Sequence, residues 1–222
     1  MSQQWRRYNL VGYGNSVYGN VAVIQQVGQY TFFANGLPEL TAPVPDVQGV
    51  EELVHLSLLF HSNPRRVVAL SGGVGGVLHE ILKYPVERVD YAELDPLLIQ
   101  MARRFPTPLT ESEPTNPRVH IHTVDGRLLA RQMALPRPSP QMRRAEEASR
   151  PGEGYDAIVV VPGHTHLWIA SPSPGIAALT LEELVARWEQ RQLPVRMMSD
   201  FHIRLKLDEQ RTRWFWDSLA LS

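Results

Sequence analysis

Apolar and polar positions alternate with a period of two through Asn20-Val21-Ala22-Val23-Ile24, pause at residues 26–29, and resume through Tyr30-Thr31-Phe32-Phe33-Ala34-Asn35-Gly36. This pattern predicts a β-hairpin or meander. The proline-rich stretch from Pro38 to Pro45 interrupts it and reads as a loop. Glu51 and Glu52 then open a run in which Leu53, Val54, Leu56, Leu59 and Phe60 recur at helical spacing, and Asn63-Pro64 closes it. From Val67 the pattern changes again. A continuous apolar strand to Leu70 meets a glycine cluster, followed by a helix through Leu78, Ile81 and Leu82 and a strand from Val89 to Leu94. Pro96 starts another helix, where its missing donor costs little, and that helix runs to about Phe105. Val119 to Val124 alternates into a third strand that ends at the turn Asp125-Gly126.

A short helix is expected near Leu128 to Met133, and the polar stretch from Pro136 to Gly154 has too little to bury and reads as a mobile surface loop. Tyr155 to Val161 is apolar apart from Asp156, as a parallel strand covered on both faces should be. Beyond Pro162 comes a loop carrying His164, His166 and Trp168, then a helix from Leu181 to Gln192 that Thr180 can cap. A short apolar piece from Val195 to Met198 and an amphipathic helix near Asp208 to Leu219 follow. The repeated order of strand, loop and helix predicts an α/β protein with a Rossmann-like parallel sheet, truncated after its fourth strand. The expected division is a small N-terminal β element at 1–48, a nucleoside-binding domain at 49–178 and a helical segment at 179–222.

Composition narrows the partners. A net charge of −1 over 222 residues gives no electrostatic case for nucleic acid or an anionic membrane. With no cysteine, disulfides, thiolate nucleophiles and thiolate metal sites are excluded. No apolar run reaches the ~20 residues of a membrane span, and a cytoplasmic location is expected.

Candidate chemistry sits at the carboxyl ends of the predicted strands. In Ser71-Gly72-Gly73-Val74-Gly75-Gly76 the glycines remove Cβ atoms between strand and helix, so a ligand can approach backbone amides. Glu93 lies roughly 20 positions on, at the next strand end, where a carboxylate accepts ribose hydroxyls. Asp125 and Gly126 stand at the third strand end. The plainer alternatives are a tight strand-to-helix turn, a solvated strand-end acid and a turn former. Glu51 serves either a ligand's amine end or, in a first helical turn, the helix dipole. His120 with His122, and His164 with His166, lack a visible third ligand, so no metal site is expected. Trp214, Phe215 and Trp216 read as a buried aromatic face or an oligomer contact.

The chain resembles the spermidine synthase family, the polyamine aminopropyltransferases, and most nearly a bacterial spermidine synthase-like branch. The resemblance is carried by Tyr18-Gly19-Asn20-Val21-Ala22-Val23, Asn35-Gly36, Glu51 through His55, His61-Ser62-Asn63-Pro64, the Ser71–Gly76 loop, Tyr91 to Pro96, Asp125-Gly126-Arg127 and Tyr155-Asp156-Ala157-Ile158. It implies a fold similar to class I methyltransferases and a thioadenosine ligand: decarboxylated S-adenosylmethionine, S-adenosylmethionine or methylthioadenosine. It also implies that Gly72, Gly73, Gly75 and Gly76 are loop glycines, that Glu93 binds ribose and that Asp125 lies near adenine.

The same resemblance implies a depleted amine half. Val74 replaces the loop's aspartate, Gly49 and Val50 replace the pair ahead of Glu51, and Glu39 and Gly19 replace glutamines. Val161 occupies the position of the catalytic base, and His164 that of a second aspartate. A valine accepts no proton, and losing a general base typically removes about 10²- to 10⁴-fold of rate. Tens of residues carried by relatives between His164 and Leu179 are lacking. A strand left near a sheet edge invites a second copy or a full-length relative as partner.

Overall fold

The structure, a computed structural model, describes residues 9–129, 160–161, 167–168 and 179–208. The loop expected at 136–154, most of the helix expected from Leu128 to Met133, His164 and His166, and Trp214 to Trp216 lie outside those residues.

The N-terminal element is larger than a hairpin. β1 (Asn9–Ser16), β2 (Gly19–Gln26), β3 (Gln29–Ala34) and β4 (Leu37–Ala42) form an antiparallel meander in that order. β4 corrects the expected proline loop. Pro38 falls where the register shifts between Phe32 and Phe33, an irregularity that tolerates a missing donor. β1, which the alternation did not reveal, pairs with β2 from Gly19 to Gln25. Val21, Val23, Phe32, Leu40 and Ala42 turn inward and share one core with the α/β unit.

That unit begins with α1 (Val47–Leu59), capped by Asp46, whose carboxylate accepts from the Gly49 amide at 3.1 Å. β5 (Arg66–Leu70), β6 (Arg88–Ala92) and β7 (Val119–His122) make a parallel sheet in the order β5-β6-β7. Between them run α2 (Val77–Ile81), α3 (Pro96–Arg104) and α4 (Pro108–Thr115). α4 escaped the sequence pattern because it contains Pro114; a reciprocal capping box of Thr107 and Thr110 starts it. Val89 and Tyr91 on the central strand are fully buried.

Among the described residues the parallel sheet has three strands. The described end of the expected fourth, β8 (Val160–Val161), instead pairs antiparallel with β9 (Leu167–Trp168). α5 (Leu181–Arg191) is capped by Thr180 and Glu183 as its sequence predicts. α6 (Asp200–Lys206) lies ahead of the helix expected from Asp208. Leu184, Val185 and Ile203 of these helices pack on Leu56, Leu59 and Phe60. Arg187 donates to the carbonyls of Leu59 and Phe60 at 2.8 Å, and Arg191 to that of Leu58 at 2.9 Å, so both guanidinium groups bind carbonyls at the end of α1. Among the described residues no helix is long and apolar enough to cross a membrane.

Candidate nucleoside site

Hydrogen bonds continue one residue past the strands and align their carboxyl ends. Ser71 N donates to Ala92 O at 2.8 Å and Glu93 N donates to His122 O at 2.9 Å. The glycine turn, Glu93 and the segment leading to Asp125 therefore share one edge of the sheet, the edge at which open α/β sheets bind ligands.

The turn has two unlike halves. Gly72 has φ +62°, and a Cβ placed there would meet nothing within 4 Å, so its outer side is open. At Gly73 a Cβ would lie 2.6 Å from Cδ2 of Tyr91, whose ring fills the space beneath the turn. Val74, at the position where the resemblance implies an aspartate, is 2% exposed and belongs to the apolar core. Gly75 and Gly76 were expected to offer amides to a ligand. Those amides instead donate to the carboxylate of Glu113, each at 2.8 Å, and His79 N adds a third bond at 3.0 Å. Glu113, on α4, is buried; burial raises its pKa and the Glu80 charge adds to that, while the three amides pull it down. No sequence signal linked Glu113 to the turn, because the contact spans 38 positions.

Glu93 is 4% exposed. Its Oε2 accepts from the Tyr91 hydroxyl at 2.6 Å and its Oε1 from Asp95 N at 3.2 Å. A carboxylate offers about four acceptor sites, so capacity for a diol remains. Asp95 caps α3 through Leu97 N at 2.9 Å and accepts from Ser16 Oγ at 2.7 Å, which ties β1 to the same corner. Glu39, on β4, has its pKa raised by partial desolvation of its carboxyl and by the charge of Glu93. The N-terminal sheet thus adds a second acid to the Glu93 side. Apolar Leu70 and Leu94 are exposed on either side of the strand ends.

Asp125 is engaged by its own neighbour. Arg127 donates from Nη2 to Oδ2 at 2.7 Å, from Nε to Oδ1 at 3.2 Å and from its amide to Oδ1 at 2.8 Å, which lowers the Asp125 pKa to about 2. The Arg127 side chain is 90% exposed, so nothing buries that clasp. A Cβ on Gly126 would lie 3.0 Å from Leu70 Cδ2, which places the Asp125-Gly126 turn against the end of β5.

Glu51 does not join this group. It is 1% exposed and accepts from Arg196 N at 2.6 Å and from Met197 N and Met198 N at 2.8 Å, pinning the segment ahead of α6. Burial opposes its charge, but the three donors together prevail and hold its pKa low. The expected role at a ligand's amine end is replaced by a structural one. Neighbouring His55 is fully buried between Tyr84 Oη at 2.9 Å and Glu80 Oε2 at 3.0 Å. His122 contacts Asp90 at 2.8 Å, while His120 on the same strand is exposed. Among the described residues no cluster of three or more metal-ligating side chains occurs. A cleft of about 240 Å³, lined by residues including Pro43, Val50, Gly76, His79, Glu80 and Arg196, touches Gly76 but none of Gly72, Glu93 and Asp125.

The profile of the spermine/spermidine synthase domain matches residues 48–135. Over these residues the chain is similar to the spermine/spermidine synthase family. A spermine synthase of Saccharomyces cerevisiae is 32% identical over 114 residues, 50% of this chain and 34% of that protein. The polyamine aminopropyltransferase of Nitrosomonas europaea is 40% identical over 78 residues, 35% of this chain and 24% of its own. That of Archaeoglobus fulgidus is 38% identical over 85 residues, 38% of this chain and 31% of its own. The chain thus spans a quarter to about a third of these relatives' length. Two spermidine synthase crystal structures, one in complex with the transition state analogue AdoDATO and one from Thermotoga maritima, superpose with a TM-score of 0.52 at 26% identity; each match covers 58% of this chain and 45% of the other. The domain's Rossmann-like character follows from these likenesses and from the parallel sheet.

Proposed function

We propose that the chain binds a thioadenosine nucleoside, namely decarboxylated S-adenosylmethionine, S-adenosylmethionine or methylthioadenosine, and that its capacity for aminopropyl transfer is impaired. The observation that carries the reading is Glu93 at the carboxyl end of β6, hydrogen-bonded to Tyr91 and level with the open side of Gly72. In this arrangement Glu93 accepts the ribose hydroxyls, Leu70 and Leu94 offer apolar surface to the purine, and Asp125 receives the exocyclic amine once Arg127 swings aside. The impairment rests on Val74, buried in the core where a carboxylate would face an ammonium group, and on the identity of Val161. Calorimetry with methylthioadenosine tests the site: the wild type binds and Glu93→Ala does not. Equal affinity in both refutes the ribose role.

A second reading is active aminopropyl transfer, or another adenosyl-dependent transfer, by a divergent route. Glu39 favours it, since a carboxylate with a raised pKa beside Glu93 is a candidate proton acceptor. A second copy or a full-length relative would be a further source of the acceptor carboxylates. Mass spectrometry of products from decarboxylated S-adenosylmethionine and putrescine separates the readings: turnover that Glu39→Gln removes supports the second, and none supports the first.

A further inference from the structure

Tyr91 lies on β6 and Glu93 directly follows its last residue, where the Glu93 amide still bonds His122 O, so the two side chains face the same side of the sheet. Tyr91 is fully buried, yet its hydroxyl reaches the candidate site and donates to Glu93 Oε2 at 2.6 Å. Its ring lies under the glycine turn so closely that any side chain at Gly73 would overlap it, with Cβ 2.6 Å from Cδ2. One residue thereby links the turn to the acid: its ring packs beneath Gly73 and its hydroxyl donates to Glu93. Burial, with the Glu93 charge beside it, raises the Tyr91 pKa and keeps the phenol a neutral donor.

A glutamate side chain has three rotatable torsions and loses rotamer entropy when it binds. A short hydrogen bond to a fixed partner removes part of that loss beforehand, and charged acceptors form the stronger bonds. We propose that Tyr91 is a positioning residue of the nucleoside site: its ring is fixed beneath the glycine turn and its hydroxyl holds the Glu93 carboxylate in the orientation that accepts the ribose diol. The inference rests on the nucleoside reading above and adds to it a residue that never touches the ligand.

The test compares methylthioadenosine with its 2′-deoxy analogue by calorimetry on the full chain, in the wild type, Tyr91→Phe and Glu93→Ala. The wild type prefers the ribonucleoside, and Glu93→Ala removes the preference. In Tyr91→Phe the preference shrinks by about tenfold, the scale of one hydrogen bond to a charged group, while affinity for the deoxy analogue stays within about twofold. A general structural defect would weaken both ligands equally, and that outcome, like an undiminished preference, overturns the proposal. Failure of the nucleoside reading looks different, because the wild type itself would then bind neither ligand or show no preference. If Tyr91→Phe does not fold, the buried phenolic proton of the wild type serves instead. Its slowly exchanging NMR signal shifts on saturation with methylthioadenosine and stays put with the deoxy analogue; a signal unmoved by the ribonucleoside overturns the proposal.

Discussion

Replacing Glu113 should unfasten the glycine turn without touching its sequence. In Glu113→Ala the amides of Gly75, Gly76 and His79 lose their common acceptor, now bonded at 2.8, 2.8 and 3.0 Å. A buried donor left unsatisfied costs about 1–3 kcal/mol. The His79 amide is only part-buried and water can reach it, so two full penalties and a reduced third give about 3–5 kcal/mol for the variant. For a chain of this size that lowers Tm by roughly 10 °C, at about 2–4 °C per kcal/mol. Glu113→Gln keeps one carbonyl oxygen able to accept from two amides, and turns an NH₂ toward the third. It should cost less than half as much as the alanine variant. Urea unfolding of the wild type and both variants measures the free energies, and NMR hydrogen exchange at Gly75, Gly76 and His79 reports the loss at its source. The reasoning fails if Glu113→Ala stays within about 0.5 kcal/mol of the wild type, the ordinary range for surface changes, or if glutamine costs as much as alanine.

Two further outcomes follow from the same geometry. Val74→Asp, which places an acid at that loop position, should destabilise the fold, because the side chain enters an apolar core at a site 2% exposed; an uncompensated buried charge costs about 3–5 kcal/mol, and unchanged stability of that variant in urea unfolding would contradict the packing. In the folded chain the Glu51 carboxyl is held below its ordinary value of 4.5, so its contribution is complete above that value and is lost as pH falls toward the folded pKa. The stability gap between wild type and Glu51→Ala, measured by urea titration, should therefore narrow from pH 6 to pH 3, and a constant gap would refute the assignment.

Alternation and helical spacing depend on neighbours within a few residues, and wherever those neighbours set the outcome the chain could be read directly. β5, β6 and β7, the cap of α5 by Thr180, and the place of Glu93 at a strand end are of this kind. β4 and α4 were hidden by Pro38 and Pro114, whose usual breaking effect is overridden by a register shift in one case and a capping box in the other. β1 was hidden because its sequence, with Gly12 and Gly14 in it, shows no clean alternation, and its pairing comes from β2.

The local sequence by itself determined the parallel strands β5, β6 and β7, the glycine turn and the acid beside it, because strand periodicity, turn chemistry and helix caps act over short distances. Tertiary structure alone decided which of the turn's amides are already spent, that Glu51 pins the 196–198 backbone, and that Tyr91 rather than solvent holds Glu93. Those outcomes depend on groups brought together from distant parts of the chain or on what a strand packs beneath, and a carboxylate takes whichever donors the fold delivers to it.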